Sequence, residues 1–316
     1  MPDAIALMKT AFAELSGGRA QAPLRSVVDV TDAPSMLLTM PGYVPAAGSL
    51  GVKIVSVFGD NASRGLPMIH AVVILVDQEN GQTLGIMEGA FITSLRTGAV
   101  SGAATDLLAR PDSTTLVVIG AGVQGVTQAA AVCAVRPIKR VIAVDARQEA
   151  LERYADAFHR DWPEIDASLE TSTDANSAVA EADIICTATT SKSAVFDDYH
   201  VRPGTHINAV GAFTPEMQEI PIATVIRATV VVDHFETALS EAGDLIKALN
   251  AGLIGRSHIE RELGQVVSGS APGRTSKDEI TLFKSVGNAV QDVVVARRAI
   301  DRAHELGLGI TLDLTV

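Results

Sequence analysis

A lysine inside an apolar strand and an arginine among small residues are the groups in this sequence best suited to hold an anion. Lys53 lies in VKIVSVF, where the period of two puts Lys53, Val55 and Val57 on one face. A lysine so placed either snorkels to an edge or serves a site. Burial disfavours its ammonium form, and a bound carboxylate favours it. Arg96 precedes Thr97-Gly98-Ala99 at an expected helix start. The helix dipole repels a guanidinium there unless an anion lies between them. Arg96 therefore reads as a partner for a substrate carboxylate or a cofactor phosphate, the other reading being an exposed arginine. Arg25 enters an apolar strand in APLRSVVDV and is a weaker candidate of the same kind. His70, in PMIHAVVIL, is either a satisfied core histidine or a site residue.

A second constellation concerns phosphate. Gly120-Ala121-Gly122-Val123-Gln124-Gly125 follows the apolar run LVVI and opens a helical stretch. The first glycine permits a tight turn, the second lets backbone approach a pyrophosphate, and the third lets helix and strand pack closely. Phosphates then meet unpaired N–H groups at a positive helix end. Asp145 ends the next strand, followed by Ala146 and Arg147. A carboxylate there accepts hydrogen bonds from ribose hydroxyls and repels a 2′-phosphate, which favours NAD(H). Arg147 pulls the other way and keeps NADP(H) open. Thr187 and Thr189, ending the run CTATT, either contact the cofactor or cap the strand end.

These groups need a scaffold. The chain has 316 residues, 47% hydrophobic and 20% charged, with a net charge of -12. That length predicts about two domains with a large core. The acidic balance and the lack of a basic run argue against nucleic acid or an anionic membrane as partner. Two cysteines, Cys133 and Cys186, exclude a disulfide scaffold or zinc site, and no metal is expected. They point to a reducing, cytoplasmic compartment. The uncharged run Leu116–Val135 is long enough to span a bilayer, but its three clustered glycines fit a strand–turn–helix better. The N-terminal stretch carries Asp3 and Glu14 and does not read as a secretory signal.

Residues 4–15 read as a helix, and the Gly/Pro-punctuated segment after it as antiparallel strands. From about Ser94 apolar strands alternate with helices. LVVIG, RVIAVD, DASLE, DIICTAT, THINAVG and TVVVD are the strands, and a last helix is predicted from about Ile280 to Glu305. The fold class is α/β, a Rossmann-type doubly wound sheet plus a smaller α+β unit. The expected division puts residues 1–95 with 292–316 in a substrate and dimerisation domain and 96–291 in the dinucleotide domain.

GVKIVSVFGDN, ITSLRTGAVSGAATDLLAR, VVIGAGVQG, INAVGAFTPEMQEI and FKSVGNAVQDVVVARRAI occur in this order and resemble the ornithine cyclodeaminase/mu-crystallin family over nearly the whole chain. The resemblance implies a homodimer with a nicotinamide-binding central domain. It implies that Lys53 contacts substrate near the nicotinamide and that Arg96, with Arg25, holds the substrate carboxylate. It also puts Thr97 at the cofactor phosphates and Val286 beside the substrate. Two departures stand out. The family usually has a further strand ahead of the first helix. Cyclodeaminases and related alanine dehydrogenases carry an aspartate where this chain has Phe213, and Phe213 cannot take a proton. The expectation is therefore reduction of a small cyclic imino acid such as Δ1-pyrroline-2-carboxylate or its six-membered homologue, with Met68 and His70 helping to hold the ring. The rivals are an ornithine cyclodeaminase, an amino-acid dehydrogenase, and a binding protein of the mu-crystallin kind.

Overall fold

The structure, a computed structural model, describes residues 1–30 and 35–313, with only the backbone of Ala62. Residues 31–34 of the segment read as strands lie outside the described residues. The chain opens with α1 (Pro2–Ser16), whose Ile5, Met8, Phe12 and Leu15 are buried along one face. Five strands follow: β1 (Ser26–Val30), β2 (Ser35–Val44), β3 (Ser49–Phe58), β4 (Ile69–Val76) and β5 (Thr83–Glu88). They pair antiparallel in sequential order. Burial alternates along β3, so Ser49, Gly51, Lys53 and Val55 face inward. That alternation is the signature of a sheet with one face on the core.

Next comes α2 (Gly89–Leu108). It begins seven residues ahead of Arg96, because Glu88 caps it by accepting the N–H groups of Ala90 and Phe91. The expected helix start at Arg96 is thus corrected: Arg96 lies inside the helix, and the dipole argument does not apply to it. The dinucleotide-type region is β6 (Thr115–Ile119), α3 (Val123–Cys133), β7 (Arg140–Val144), α4 (Gln148–Asp161), β8 (Ser168–Ser172), α5 (Ala175–Val179), β9 (Ile184–Thr187), β10 (His206–Ala209), α6 (Ile222–Arg227), β11 (Thr229–Val232), α7 (Phe235–Glu241), α8 (Gly243–Asn250), β12 (Arg261–Glu262), α9 (Leu263–Ser268) and β13 (Thr281–Lys284). Its eight strands run parallel in the order β12-β11-β13-β10-β9-β6-β7-β8. The central strands are buried throughout, as their unbroken apolar runs require. The strand order reverses between β6 and β9, and ligands of such sheets bind at that point, beyond the strands' C-terminal ends.

The last helix is shorter than its apolar spacing suggested. Residues 281–284 form β13, inserted between β10 and β11, and α10 (Ala289–Glu305) starts only after it. Asn288 and Gln291 form a capping box that fixes this start. The dividing points expected at 95/96 and 291/292 both fall inside helices, α2 and α10. Those two helices are shared. Val293 and Ile300 of α10 join α1, β4 and α2 residues in one apolar core. At its other end α2 lies on α3, where Ser94 Oγ is 3.2 Å from Thr127 Oγ1 and Gln128 donates to the Thr97 carbonyl. The antiparallel sheet and the glycine-rich turn are thereby held in one frame. No helix among the described residues is long and apolar enough to cross a membrane.

Candidate active site

The glycine turn after β6 has the geometry its composition demands. Gly120 has φ +108°, and a Cβ there would lie 2.5 Å from the Ala188 carbonyl oxygen. Only glycine accepts both conditions. A Cβ at Gly125 would lie 2.3 Å from the Gly120 oxygen, so this third glycine closes helix onto strand. At Gly122 a Cβ would meet nothing within 4 Å, which leaves the turn open to the cleft. Gly122 caps α3 without a side-chain acceptor, so the first N–H groups of the helix remain available to a pyrophosphate. The adjoining cleft has a volume of 690 Å³ and is lined by Gly120, Gly122, Asp145, Ala146, Arg147, Thr189 and Met68, among others. Val123 is exposed and Gln124 half-buried on the first turn of α3. Asp145 accepts N–H groups from Ala121 at 3.1 Å and Arg147 at 3.0 Å. Burial raises its carboxyl, but these N–H donors and the Arg147 guanidinium outweigh that and leave it below the ordinary range. Thr187 is buried with an unpartnered hydroxyl. These features fit a dinucleotide with its adenosine ribose at Asp145.

Lys53 and Arg96 are not in solvent: they are 2% and 6% exposed. What joins them is a residue that the sequence analysis left unassigned. Asp292, fully buried in the first turn of α10, accepts a hydrogen bond from the Lys53 ammonium on one oxygen at 3.0 Å, and its other oxygen lies 2.9 Å from the same ammonium as an ion pair without a hydrogen bond. The Arg96 Nε donates to the same carboxylate at 3.1 Å, and its Nη1 donates to Gln291 at 3.0 Å. Gly287 has φ +85°, and a Cβ there would lie 2.8 Å from Arg96 Nη1. Two cations thus share one carboxylate, and the cluster has one positive charge left for an incoming anion. Burial lowers the Lys53 ammonium to about 8, Asp292 opposing this and Arg96 adding to it.

Arg25 reaches the same place from the other side. It donates to the carbonyls of Val286 and Gly287 at 3.0 and 2.9 Å and pairs with Glu241 at 2.7 Å. Phe213 is half-buried and packs in the same apolar cluster as Val286. Thr97 donates to the Thr93 carbonyl within α2, and neither it nor Lys53, Arg96, Arg25, Phe213 or Val286 lines the 690 Å³ cleft itself. The role read for His70 is corrected by register. Lys53 pairs with Val73, so His70, three residues away on β4, faces the opposite side of the sheet and is exposed. Met68 precedes β4 and lines the cleft. Asp292 did leave a signal, a lone carboxylate in the apolar helix face VQDVVV, the counterpart of Lys53 in its strand.

A model of the ornithine cyclodeaminase/mu-crystallin family matches residues 1–307. The chain belongs to this family. The Δ1-pyrroline-2-carboxylate reductase of Bacillus cereus is 39% identical over 310 residues, covering 98% of this chain and 94% of that protein. The solved structure of Thermococcus litoralis Δ1-pyrroline-2-carboxylate reductase, in complex with NADH and L-proline, matches with a TM-score of 0.94 at 39% identity, covering 99% of this chain and 96% of that one. An archaeal alanine dehydrogenase dimer with bound NAD matches at 0.91 and 34% identity, covering 100% of this chain and 95% of that one. The family's motif order is thus matched by its fold.

Asp292 is the keystone of the cation cluster, which leads to a direct test. Breaking a buried pair by removing one partner costs about 3–5 kcal/mol, because the other charge stays buried. Asp292→Asn is expected to lower the urea unfolding free energy by about that amount. Adding Lys53→Met should recover part of the loss, and additive losses in the double variant would show that the two residues are not coupled.

Proposed function

We propose that the protein is an NAD(H)-dependent reductase that converts Δ1-pyrroline-2-carboxylate to L-proline. The observation that carries this reading is the single unbalanced positive charge of the Lys53–Asp292–Arg96 cluster, in a chain that has Phe213 where cyclodeaminases carry an aspartate. Bound in the glycine-lined cleft, reduced nicotinamide supplies a hydride to the imine carbon. Lys53 and Arg96 hold the carboxylate, and Arg25 steadies the far side of the pocket through the Val286 and Gly287 carbonyls. A protonated imine is already electrophilic, so positioning and charge control matter more than a strong base. Phe213 and Val286 offer the ring an apolar wall. Cyclodeamination must also expel ammonia, which needs a proton acceptor near the amine, and Phe213 offers none. The intact cations and glycine turn favour turnover over binding alone.

We assign the substrate and pairing half to residues 1–95 with 292–316, and the cofactor half to 96–291. A second copy of the chain fits the outer face of the antiparallel sheet. Val28, Leu37, Ile54, Ile74 and Ile86 share that face by register, and Val28 is 61% and Ile86 58% exposed. The free cysteines Cys133 and Cys186 suit a reducing cytoplasm.

Purified protein with NADH and Δ1-pyrroline-2-carboxylate should consume the reduced cofactor and yield L-proline. No turnover with this substrate or its six-membered homologue, together with ammonia release from ornithine, would reverse the assignment. The pH dependence has a definite sign. Burial holds the Lys53 ammonium at about 8, below the ordinary 10.5, so the carboxylate-binding form is full well below pH 8 and is lost above it. The affinity for L-proline should fall about tenfold between pH 7 and pH 9, and Lys53→Arg should flatten that fall. In sedimentation velocity the wild type should run as a dimer and Ile86→Lys as a monomer; a wild-type monomer would refute the pairing face.

A further inference from the structure

A second buried charge cluster lies behind the cleft wall, and substrate binding does not use it. Glu219, Asp244 and Lys284 are each fully buried. Glu219 accepts the Thr189 N–H on one oxygen at 2.6 Å, and those of Gly211 and Ala212 on the other at 2.7 and 3.0 Å. These donors belong to the loops that follow β9 and β10, at the C-terminal edge of the parallel sheet. The first loop lines the cleft through Thr189, and the second leads into Phe213. Asp244 accepts the N–H groups of Glu219 and Ile220 at 2.6 and 2.9 Å, and its other oxygen lies 2.8 Å from the Lys284 ammonium. A Cβ on Gly211 would lie 2.4 Å from a Glu219 oxygen, so the carboxylate is pressed directly against the loop.

The charge balance is unusual. Two carboxylates share one ammonium, and backbone N–H groups take the place of the missing cation. Asp233, also fully buried, accepts the N–H groups of Val286 and Gly287 below the neighbouring loop and adds to the same sign. Burial and the neighbouring Asp244 carboxylate hold the Glu219 carboxyl above the ordinary range, with the Lys284 ammonium and the Thr189 N–H opposing them. The three N–H groups that Glu219 accepts favour its anionic form. Burying unbalanced charge is costly, and groups held this way concentrate at functional sites. On the substrate side the excess is positive. The sign therefore inverts across the pocket.

Reduction of the iminium moves charge in the matching direction. The hydride's electron pair forms the new C–H bond, the C=N π pair becomes the nitrogen lone pair, and one positive charge passes from the substrate nitrogen to the nicotinamide ring. We propose that Glu219, supported by Asp244, is a positioning residue that clamps the β9 and β10 loops against the nicotinamide and, through the cluster's excess negative charge, favours its oxidised, cationic form. The proposal rests on the nicotinamide reading of the cleft.

The test is the affinity of the full-length protein for NAD+ and for NADH, each titrated alone by calorimetry. One unit charge about 10 Å away at an effective dielectric near 20 corresponds to about tenfold in a binding constant. Glu219→Gln should weaken NAD+ about tenfold more than NADH. Asp244→Asn, which removes the same charge through different hydrogen bonds, should shift the ratio the same way. Equal weakening of both forms in a folded variant is what a purely structural clamp would do, and it would overturn the charge claim. If neither variant folds, the wild-type protein decides: NAD+ must bind no more weakly than NADH, and a clear preference for NADH overturns the proposal. Failure of the wild type to bind either form would instead remove the nicotinamide reading.

Discussion

The carboxylate of Asp292 between Lys53 and Arg96 is the interaction on which the site depends. It joins three elements far apart in the chain: β3 of the antiparallel sheet, α2, and the first turn of α10. Either cation alone would be an uncompensated charge in that interior, and burying an unpaired ion costs several kcal/mol. With one shared counter-ion, both stay charged and the cluster lacks one negative charge. A carboxylate ligand would complete it. The same logic explains why Arg96 is anchored twice, to Asp292 and to Gln291, while Gln291 also accepts the Asn288 N–H that starts α10. The helix cap and the cation cluster thus share the Gln291 oxygen.

That arrangement puts severe demands on the backbone. Gly287 takes a left-handed conformation against the Arg96 guanidinium, and Gly120 does so against the Ala188 carbonyl. Both lie just past the C-terminal ends of parallel strands, where the sheet hands its ligands to loops. Buried carboxylates hold those loops from beneath: Asp233 holds the loop after β13, and Glu219 holds those after β9 and β10. Two buried clusters of opposite excess charge thus lie near the C-terminal edge of the sheet, positive at Lys53, Arg96 and Asp292 and negative at Glu219, Asp244 and Lys284. The charges are fixed before any ligand arrives, so reorganisation during reaction is small.

How much of this was legible in the residues follows from what each signal measures. The central strands were readable because strands buried on both faces must be continuously apolar. The glycine turn was readable because each glycine answers a separate steric demand. The period of two grouped Lys53 with Val55 on one face, but that this face points inward was visible only in the structure. Thr281–Lys284 misled because four residues cannot show whether their period is 2 or 3.6, and Phe283 and Val286 extended the apolar stripe of α10 backwards. The helix start at Arg96 was wrong because the true cap, Glu88, lies a full two turns earlier beside a strand end. His70 was misplaced because the face of β4 depends on its register with β3, and register is a tertiary fact. Asp292 was missed for a related reason: a lone acid in an apolar helix is only half of a pair.

The two halves of that pair are 239 residues apart, which bears on how the site comes into being. Closing so long a loop has a large entropy cost, and no local contact repays it. Nor is stepwise burial of the charges favourable, because each would then stand in the interior without its partner. The apolar core shared by α1, α2, β4 and α10 holds the elements that carry the two charges against each other. The ion cluster is then a consequence of the packed fold and contributes selectivity more than driving force. An anion that bound this cluster in the native state alone would stabilise the fold by mass action.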